Sequence, residues 1–224
     1  MQDAASARVL AGMNRLALLL TWMALPLSLA AGEFVAKDGT RIAYTEQGAG
    51  ERSPVLLIHG LSASGALNWT LPGITTALAK EHRVIVMDCR GHGKSDKPEH
   101  AGAFGVKMVE DVVALLDHLG IRSAHLAGYS MGGLIAMKTA VVHPQRVRSL
   151  LLCGMGWLEE GKAQQRVWAR AKNPCARGFT ELAVTAEEVK ALKIPAAVIV
   201  ADRDPVDRSY VVPLERLRLD WPVT

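Results

Sequence analysis

Hydrophobic residues follow two recurring patterns along the chain, and the order of these patterns predicts the fold class. Short runs that are apolar throughout are typical of strands buried in a parallel sheet, and they read "PVLLIHG", "HRVIVMD", "AHLAG", "VRSLLLC" and "AAVIVA". Between them stand segments with apolar residues at helical spacing, most clearly "VKMVEDVVALLDHLG" and "MGGLIAMKTAVVH". Strands that alternate with helices predict an α/β fold, in which helices cover both faces of a mostly parallel sheet.

Three segments add to this alternation. "EFVAKDGTRIAYTEQG" has two alternating stretches around Asp38-Gly39, which predicts a β-hairpin before the parallel strands. Residues 157–184 are polar and partly helical and stand between two predicted strands, so we interpret them as a small inserted lid. After a capping box of Thr185 and Glu188, we expect one more helix and, in "DWPVT", the first residues of another strand.

The first thirty residues have the pattern of a secretory signal peptide. Arg8 and Arg15 precede the apolar run "LALLLTWMALPLSLA", and Ser28-Leu29-Ala30 places small residues at a spacing typical of cleavage sites. The run is about fifteen residues long, short of the roughly twenty that cross a bilayer. We therefore expect residues 1–30 to direct export, periplasmic or secreted, and residues 31–224 to form one domain with no stable membrane span. An uncleaved N-terminal anchor is the alternative.

Composition narrows the classes of partner and site. Of the 224 residues 50% are hydrophobic and 21% are charged, with a net charge of +4 and no basic stretch interleaved with aromatic residues, so we expect no nucleic-acid partner. Cys89, Cys153 and Cys175 lack CxxC spacing, and we predict no metal site and no cofactor. In an oxidising compartment Cys153 and Cys175 could form a disulfide, although a cysteine within the apolar run "SLLLCGMG" is more often simply buried.

The stretch "LAGYSMGG" carries the first candidate for chemistry. Its spacing, Gly128-Tyr129-Ser130-Met131-Gly132, follows a predicted strand and precedes a predicted helix, which is the context of a nucleophile elbow. The glycines Gly128 and Gly132 leave room for the strained backbone that holds the serine, so Ser130 is the predicted nucleophile. A small-residue turn for tight packing of the helix on the sheet is the alternative.

A nucleophilic serine also needs backbone N–H groups that stabilise the oxyanion formed by its attack. The amide of Met131 stands at the N-terminus of the following helix, where the helix dipole adds to its effect. The loop that begins with Gly60, after "LLIHG", is expected to supply the second amide, that of Leu61. An ordinary strand-to-helix turn is the alternative interpretation of "HGLSASG".

These motifs resemble those of serine hydrolases of the α/β-hydrolase fold superfamily, in its esterase and lipase-like branch. The matching stretches are "LLIHGLSASG", "VIVMDCRGHGKSDKP", "LAGYSMGGLIAM", "HPQRVRSLLL" and "IPAAVIVADRDPVD". The resemblance implies a small-molecule ester substrate and a catalytic acid at Asp204, with Asp202 as the competing position. It also implies that Asp88 and Arg90 are structural and form an internal ion pair.

The resemblance further implies a triad in the order serine, acid, histidine. All seven histidines of the chain precede Asp204: His59, His82, His92, His100, His118, His125 and His143. The catalytic histidine is therefore not assigned to any residue of this chain. We expect it to follow the strand that "DWPVT" begins, so that the sequence is truncated before it.

Taken together, these features predict a serine hydrolase that cleaves carboxylic esters through an acyl-enzyme on Ser130. Because the inserted lid is small, we expect short to medium acyl chains. Carbon–carbon bond hydrolases and perhydrolases of the same fold use the same serine and are alternatives. A non-catalytic binding protein that lacks the base is an alternative from a different class.

Overall fold

The computed structural model describes residues 29–224, which contain a seven-stranded sheet in the order β1-β2-β4-β3-β5-β6-β7. Neighbours from β4 to β7 in this order are parallel, whereas β2 pairs antiparallel with both β1 and β4. The predicted α/β fold with a mostly parallel sheet is confirmed. The strands are β1 Ala30–Val35, β2 Arg41–Gln47, β3 Arg52–Ile58, β4 His82–Met87, β5 Ala124–Tyr129, β6 Val147–Cys153 and β7 Ala196–Ile199.

The described part of the chain includes only Leu29 and Ala30 of the predicted signal peptide. Ala30 opens β1 opposite Glu46 of β2. The rest of that segment lies outside the described residues, and export stays a prediction. Between Leu29 and Thr224, no helix combines the length and the apolar composition needed to cross a bilayer.

The first two strands form the predicted hairpin around Asp38-Gly39. Gly39 has φ +86°, a conformation that glycine adopts without steric strain. The Asp38 carboxylate accepts the N–H of Thr40 at 3.2 Å. β2 continues from this turn to pair with β4. The hairpin therefore adds two antiparallel strands beside β4, on one side of the parallel strands.

Helices stand between the strands as the apolar spacing predicts. The stretch "NWTLPGITTALAK" is divided between a helical turn, Ala66–Thr70, and a short helix, because Pro72 lacks an N–H and Gly73 adopts φ +82°. The α-helices of the described chain are α1 Ile74–Leu78, α2 Val106–His118, α3 Met131–Val142, α4 Ala163–Ala169, α5 Pro174–Gly178, α6 Ala186–Ala191 and α7 Val212–Leu217.

Both faces of the sheet are covered. Successive strand residues point to opposite faces, so Leu56 and Leu57 of β3 enter different cores. Leu56 joins the larger core, to which α2 and α3 contribute, and Leu57 joins a smaller one with Trp69. The continuous apolar runs of the strands are thus explained by burial on both sides.

Residues 157–184 lie between β6 and β7 and contain α4, α5 and a helical turn. Although their composition is polar, they have a buried apolar side, which is formed by Trp157, Leu158, Cys175, Phe179 and Leu182. Lys138 of α3 donates to the carbonyl oxygen of Ala183 at 2.8 Å, which ties the segment to α3. Its function as a lid stays a prediction.

The last predicted elements are also present. Thr185 Oγ1 accepts the N–H of Glu188 at 3.1 Å, and the Glu188 carboxylate accepts the N–H of Thr185 at 2.7 Å, so the capping box of α6 is complete. Beyond α7, residues 222–224 pair in parallel with β7, where Val198 N–H donates to Pro222 O at 2.9 Å. The strand expected in "DWPVT" is present as a single parallel bridge between Val223 and Val198.

Candidate active site

Ser130 stands on a strained turn between β5 and α3. Its backbone has φ +49° and ψ −112°, a conformation that residues with a Cβ rarely adopt. The turn is held on two sides, because Ser130 N–H donates to Cys153 O of β6 and Ser130 O accepts the N–H of Gly133, both at 2.8 Å. The serine is half-buried and Tyr129 beside it is 43% exposed, so solvent reaches this point of the fold.

Gly128 and Gly132 occupy positions where no Cβ fits. A Cβ on Gly128 would lie 2.2 Å from Gly132 O, and a Cβ on Gly132 would lie 2.1 Å from Ile58 O at the end of β3. These close approaches bring the first turn of α3 against the ends of both β5 and β3. The glycine spacing is therefore a packing requirement of the elbow itself.

The two predicted oxyanion donors come from the segments that meet at this elbow. Met131 is the first residue of α3, and Leu61 belongs to the loop that leaves β3. A Cβ on Gly60 would lie 3.0 Å from the Tyr129 ring and 3.4 Å from Tyr129 O, so the loop contacts the residue before Ser130. Neither amide has a hydrogen-bond partner within residues 29–224.

Asp204 follows β7, and it therefore lies at the carboxyl ends of the parallel strands, as Ser130 does. A Cβ on Gly154, the residue after β6, would lie 3.6 Å from Asp204 Oδ2 and 3.0 Å from the Tyr129 ring. Asp204 Oδ1 accepts the N–H of Val206 at 3.0 Å, which orients the carboxylate, whereas Asp202 is exposed. The fold thus brings Ser130, the two amides and Asp204 to one edge, and their catalytic roles stay predictions.

Two histidines, His59 and His92, follow the carboxyl ends of β3 and β4. His59 is fully buried, with Nδ1 2.7 Å from Gly60 O and Nε2 2.9 Å from the backbone nitrogen of Cys89. A carbonyl can only accept and a backbone N–H can only donate, so His59 is neutral and carries its proton on Nδ1. Both of its ring nitrogens are occupied. His92 Nδ1 faces the carbonyl oxygen of Arg90 at 3.1 Å, and its ring packs edge-on against His59.

The other five histidines lie elsewhere. His125 precedes Ser130 by five residues of β5, which is about 16 Å at the rise of a strand. His143 follows the far end of α3, about 19 Å away at the rise of a helix. His82 is the first residue of β4, at the opposite end of the strands, and His100 and His118 are exposed. Within residues 29–224, which include all seven histidines, no imidazole is hydrogen-bonded to Ser130.

The buried His59 makes stability depend on pH. Burial disfavours its charged form and lowers its pKa from 6.5 to about 4. Because the unfolded chain binds this proton more tightly, the stability is complete above pH 6.5 and is lost as the pH falls towards 4. We expect the free energy of unfolding to fall by about 3 kcal/mol across this window, measured by urea denaturation between pH 7.5 and 4.

His92 and His125 also lower the free energy of unfolding as the pH falls, because burial lowers the pKa of each. A free energy of unfolding that stays constant from pH 7.5 to 5 would contradict the neutral, Nδ1-protonated state of His59.

The expected ion pair between Asp88 and Arg90 is wrong. Arg90 Nε and Nη2 each donate to the Asp111 carboxylate at 2.7 Å, and Nη1 donates to Asp38 Oδ2 at 2.7 Å. Arg90 is two residues further round the loop, so its side chain reaches α2, whereas the Asp88 carboxylate turns back onto the loop. There it accepts two backbone N–H groups at 2.8 Å each, from Gly65 and Lys94.

The three cysteines are free thiols, and the alternative of a Cys153–Cys175 disulfide is not realised. Cys175 instead places its sulfur 3.7 Å from that of Met131. Burial raises the pKa of Cys153 to about 11 and that of Cys175 to about 12, and it raises the pKa of Cys89 as well. Among the described residues, no three histidine, cysteine or acidic side chains are arranged to hold a metal ion.

A cavity of about 470 Å³ opens between β1, β2 and the helical turn Ala66–Thr70. Glu33, Asp88 and Lys94 form the charged part of its lining. None of the predicted site residues lines it. The elbow and this cavity are therefore separate features of the fold.

Asn68 is a contact of the site that sequence reasoning missed. Its Oδ1 accepts the N–H of Gly60, eight residues earlier, at 2.9 Å. The available signal was a polar residue directly before the buried Trp69 in "GALNWT". Spacing alone does not reveal which backbone group such a side chain reaches, because the bond depends on how the loop folds back.

Comparison with known proteins supports the fold. Residues 53–177 match a family model described as alpha/beta hydrolase fold. A solved structure of a bacterial membrane phospholipase A is similar, with a TM-score of 0.66 and 26% identity, covering 98% of this chain and 86% of that one. The described residues therefore share the architecture of that structure.

Two curated relatives share the sequence more closely. A dihydrolipoyllysine-residue acetyltransferase component of an acetoin cleaving system, from Cupriavidus necator, is 35% identical over 196 residues, which are 85% of this chain and 46% of the relative. A 2-hydroxy-6-oxononadienedioate/2-hydroxy-6-oxononatrienedioate hydrolase from Burkholderia vietnamiensis is 40% identical over 126 residues, 54% of this chain and 43% of the relative. The chain spans less than half the length of either relative. Since the family model matches more than half of the chain and the sheet has the matching topology, the protein belongs to the α/β-hydrolase fold family.

Proposed function

We propose that the chain carries the nucleophile, the oxyanion hole and the acid of a serine hydrolase that cleaves carboxylic esters. The observation that carries the proposal is the backbone of Ser130 at φ +49°. Such a conformation costs a non-glycine residue about 1 to 3 kcal/mol, and it is retained mostly at functional sites. A turn needed only for packing would take glycine at this position, without that cost.

The proposed reaction begins when Ser130 Oγ attacks the ester carbonyl carbon and gives its proton to a base. The carbonyl oxygen becomes an oxyanion, which accepts hydrogen bonds from the N–H groups of Leu61 and Met131. Collapse breaks the bond to the alcohol, which leaves with a proton, and water then hydrolyses the acyl-serine. Asp204 is assigned the role of orienting the base and stabilising its charged form.

The test is release of p-nitrophenol from p-nitrophenyl butyrate by this chain, with Ser130→Ala as the blank. Because no histidine is bonded to Ser130, we expect slow turnover or a single acylation burst. Loss of one triad member lowers turnover by up to about a million-fold and leaves about 10³ to 10⁴ over water. Added imidazole, acting as an external base, is expected to raise the rate for the serine chain above its effect on the blank.

Equal rates for the two proteins, with and without imidazole, would contradict a nucleophilic Ser130. Strong turnover without imidazole that vanishes in the blank would instead show a base within these residues, and His92 would be the first histidine to replace. The half-buried Ser130 and the short insertion favour small acyl groups. We therefore expect butyrate and octanoate esters to react faster than palmitate, and a preference for palmitate would contradict this choice of substrate.

A carbon–carbon bond hydrolase is the second candidate. It is favoured by the 40% identity to the oxononadienedioate hydrolase, which extends over 126 residues. The same serine, amides and acid serve either substrate class. Turnover of a dienoate diketone in preference to the p-nitrophenyl esters would select this candidate, measured by the loss of the conjugated absorbance with Ser130→Ala as the blank.

A further inference from the structure

Side chains bind the peptide group on each side of Gly60. Its N–H donates to Asn68 Oδ1 at 2.9 Å, and its carbonyl oxygen accepts from His59 Nδ1 at 2.7 Å and from the N–H of Ala63 at 3.3 Å. A glycine can otherwise adopt many backbone conformations. Fixing the peptide before Gly60 and the peptide after it removes this freedom.

The second of these peptides contains the amide of Leu61. A trans peptide is planar, so its C=O and its N–H point in opposite directions. When His59 and Ala63 hold the Gly60 carbonyl on one side, the Leu61 N–H must point to the other. Rotation of this peptide by half a turn would break both bonds to the carbonyl and would present an oxygen where the N–H now stands.

The next residue shows that the loop is under constraint. Ser62 has φ +59°, and with Ser130 it is one of two non-glycine residues with positive φ in the described chain. Such backbone strain persists only where surrounding contacts hold it. His59 is itself fixed, since its Nε2 accepts the N–H of Cys89 in the loop after β4. The contacts on Gly60 therefore link the end of β3 to two other segments.

We propose that Asn68 and His59 are positioning residues, which hold the Gly60–Leu61 peptide so that the Leu61 N–H faces the carbonyl oxygen of the substrate. This inference rests on the proposed function, because it assumes that Ser130 attacks an ester. Asn68 is the better of the two to test, because it is half-buried and lies in a short helical turn, whereas His59 is fully buried.

The experiment measures the rate at which a fluorophosphonate labels Ser130 of the full chain, followed by intact-protein mass spectrometry. In this reaction Ser130 Oγ bonds to phosphorus, fluoride leaves, and the serine proton passes to the buffer base. The phosphoryl oxygen needs the oxyanion donors. Loss of one such donor costs about 10²- to 10³-fold, so displacement of the Leu61 amide in Asn68→Ala is expected to slow labelling by about 10- to 100-fold.

Three further variants make the result specific. Asn68→Asp keeps an oxygen that accepts the Gly60 N–H, so it is expected to label faster than Asn68→Ala; a purely electrostatic effect would rank the aspartate below the alanine. Asn68→Leu keeps the volume and removes the acceptor, and it is expected to label as slowly as the alanine variant. Ser64→Ala is the matched control, because Ser64 Oγ accepts the N–H of Leu67 in the same segment, and it is expected to label at the rate of the unmodified chain.

The affinity for a non-reactive ether analogue of the ester separates positioning from collapse of the site. We expect this affinity to stay within about two-fold in all four variants, whereas the labelling rates differ. If Asn68→Ala and Asn68→Leu label as fast as the unmodified chain, or if Ser64→Ala is equally slow, the positioning role is wrong. If the unmodified chain does not label at Ser130 even with imidazole as the buffer base, the proposed function itself fails.

Discussion

Replacing Gly132 by alanine is expected to lower the free energy of unfolding by about 3 kcal/mol or more and to abolish labelling of Ser130. The added Cβ would lie 2.1 Å from the carbonyl oxygen of Ile58 and 2.9 Å from that of His59. Both atoms belong to backbone that cannot turn aside, so α3 must move away from β3. That movement separates the elbow from the loop that carries Leu61. Urea denaturation and fluorophosphonate labelling measure the two effects.

Gly133→Ala is the matched control, one residue further along α3. A Cβ there would meet Met155 Cβ at 3.1 Å and Gly128 O at 3.4 Å, which a small shift relieves. Alanine also favours the helix by about 1 kcal/mol over glycine, so we expect a net change of stability within about 1 kcal/mol. If Gly132→Ala were as stable and as reactive as Gly133→Ala, the elbow would not depend on the close contact with β3.

Replacing Asp111 by asparagine is expected to lower the free energy of unfolding by about 3 to 5 kcal/mol. The side chains of Asp111 and Arg90 are each 2% exposed, and the carboxylate accepts two of the guanidinium N–H groups. Asparagine keeps the shape but removes the charge, which leaves the Arg90 cation buried with Asp38 as its remaining anion. Urea denaturation at pH 7.5, where the carboxylates are ionised, measures the loss.

Glu81→Gln gives the comparison for an exposed pair. Arg52 and Glu81 form a salt bridge of 2.8 Å, but their side chains are 67% and 57% exposed. Pairs of this kind contribute about 0 to 1 kcal/mol, so the change should be small. Equal losses for Asp111→Asn and Glu81→Gln would show that burial does not set the energy of the Arg90 network.

The parallel part of the sheet could be predicted from the sequence because its strands contain continuous apolar runs. "VLLI" and "VIVM" are buried on both faces, and this is a local property that the order of residues displays. The elbow could be predicted for a related reason, since Gly128, Ser130 and Gly132 act through a single turn. In both cases the residues that form the pattern lie close together in the chain.

The sequence did not predict contacts between residues that are far apart in the chain. It also did not predict contacts that depend on how a loop is oriented. Arg90 was expected to pair with the nearby Asp88, but it bonds Asp111, which becomes a neighbour only when α2 packs beside the loop. Asn68 reaches back to Gly60 only because the loop curls between them. The insertion looked polar because its apolar residues are scattered along the sequence; they are buried at Trp157 and Leu158, in α5 and in the following turn.

Two of the three native thiols, those of Cys89 and Cys175, are buried and that of Cys153 is half-buried, which has a practical consequence for spectroscopy. The thiolate is the form that reacts, and a pKa of about 11 leaves about one Cys153 side chain in ten thousand as thiolate at pH 7. Cys89 and Cys175 are buried and react still less. A single cysteine introduced at an exposed position, such as Val167→Cys on α4, can therefore carry a spin label or fluorophore while the native cysteines stay in place. Such a label would report directly on motion of residues 157–184 against the sheet.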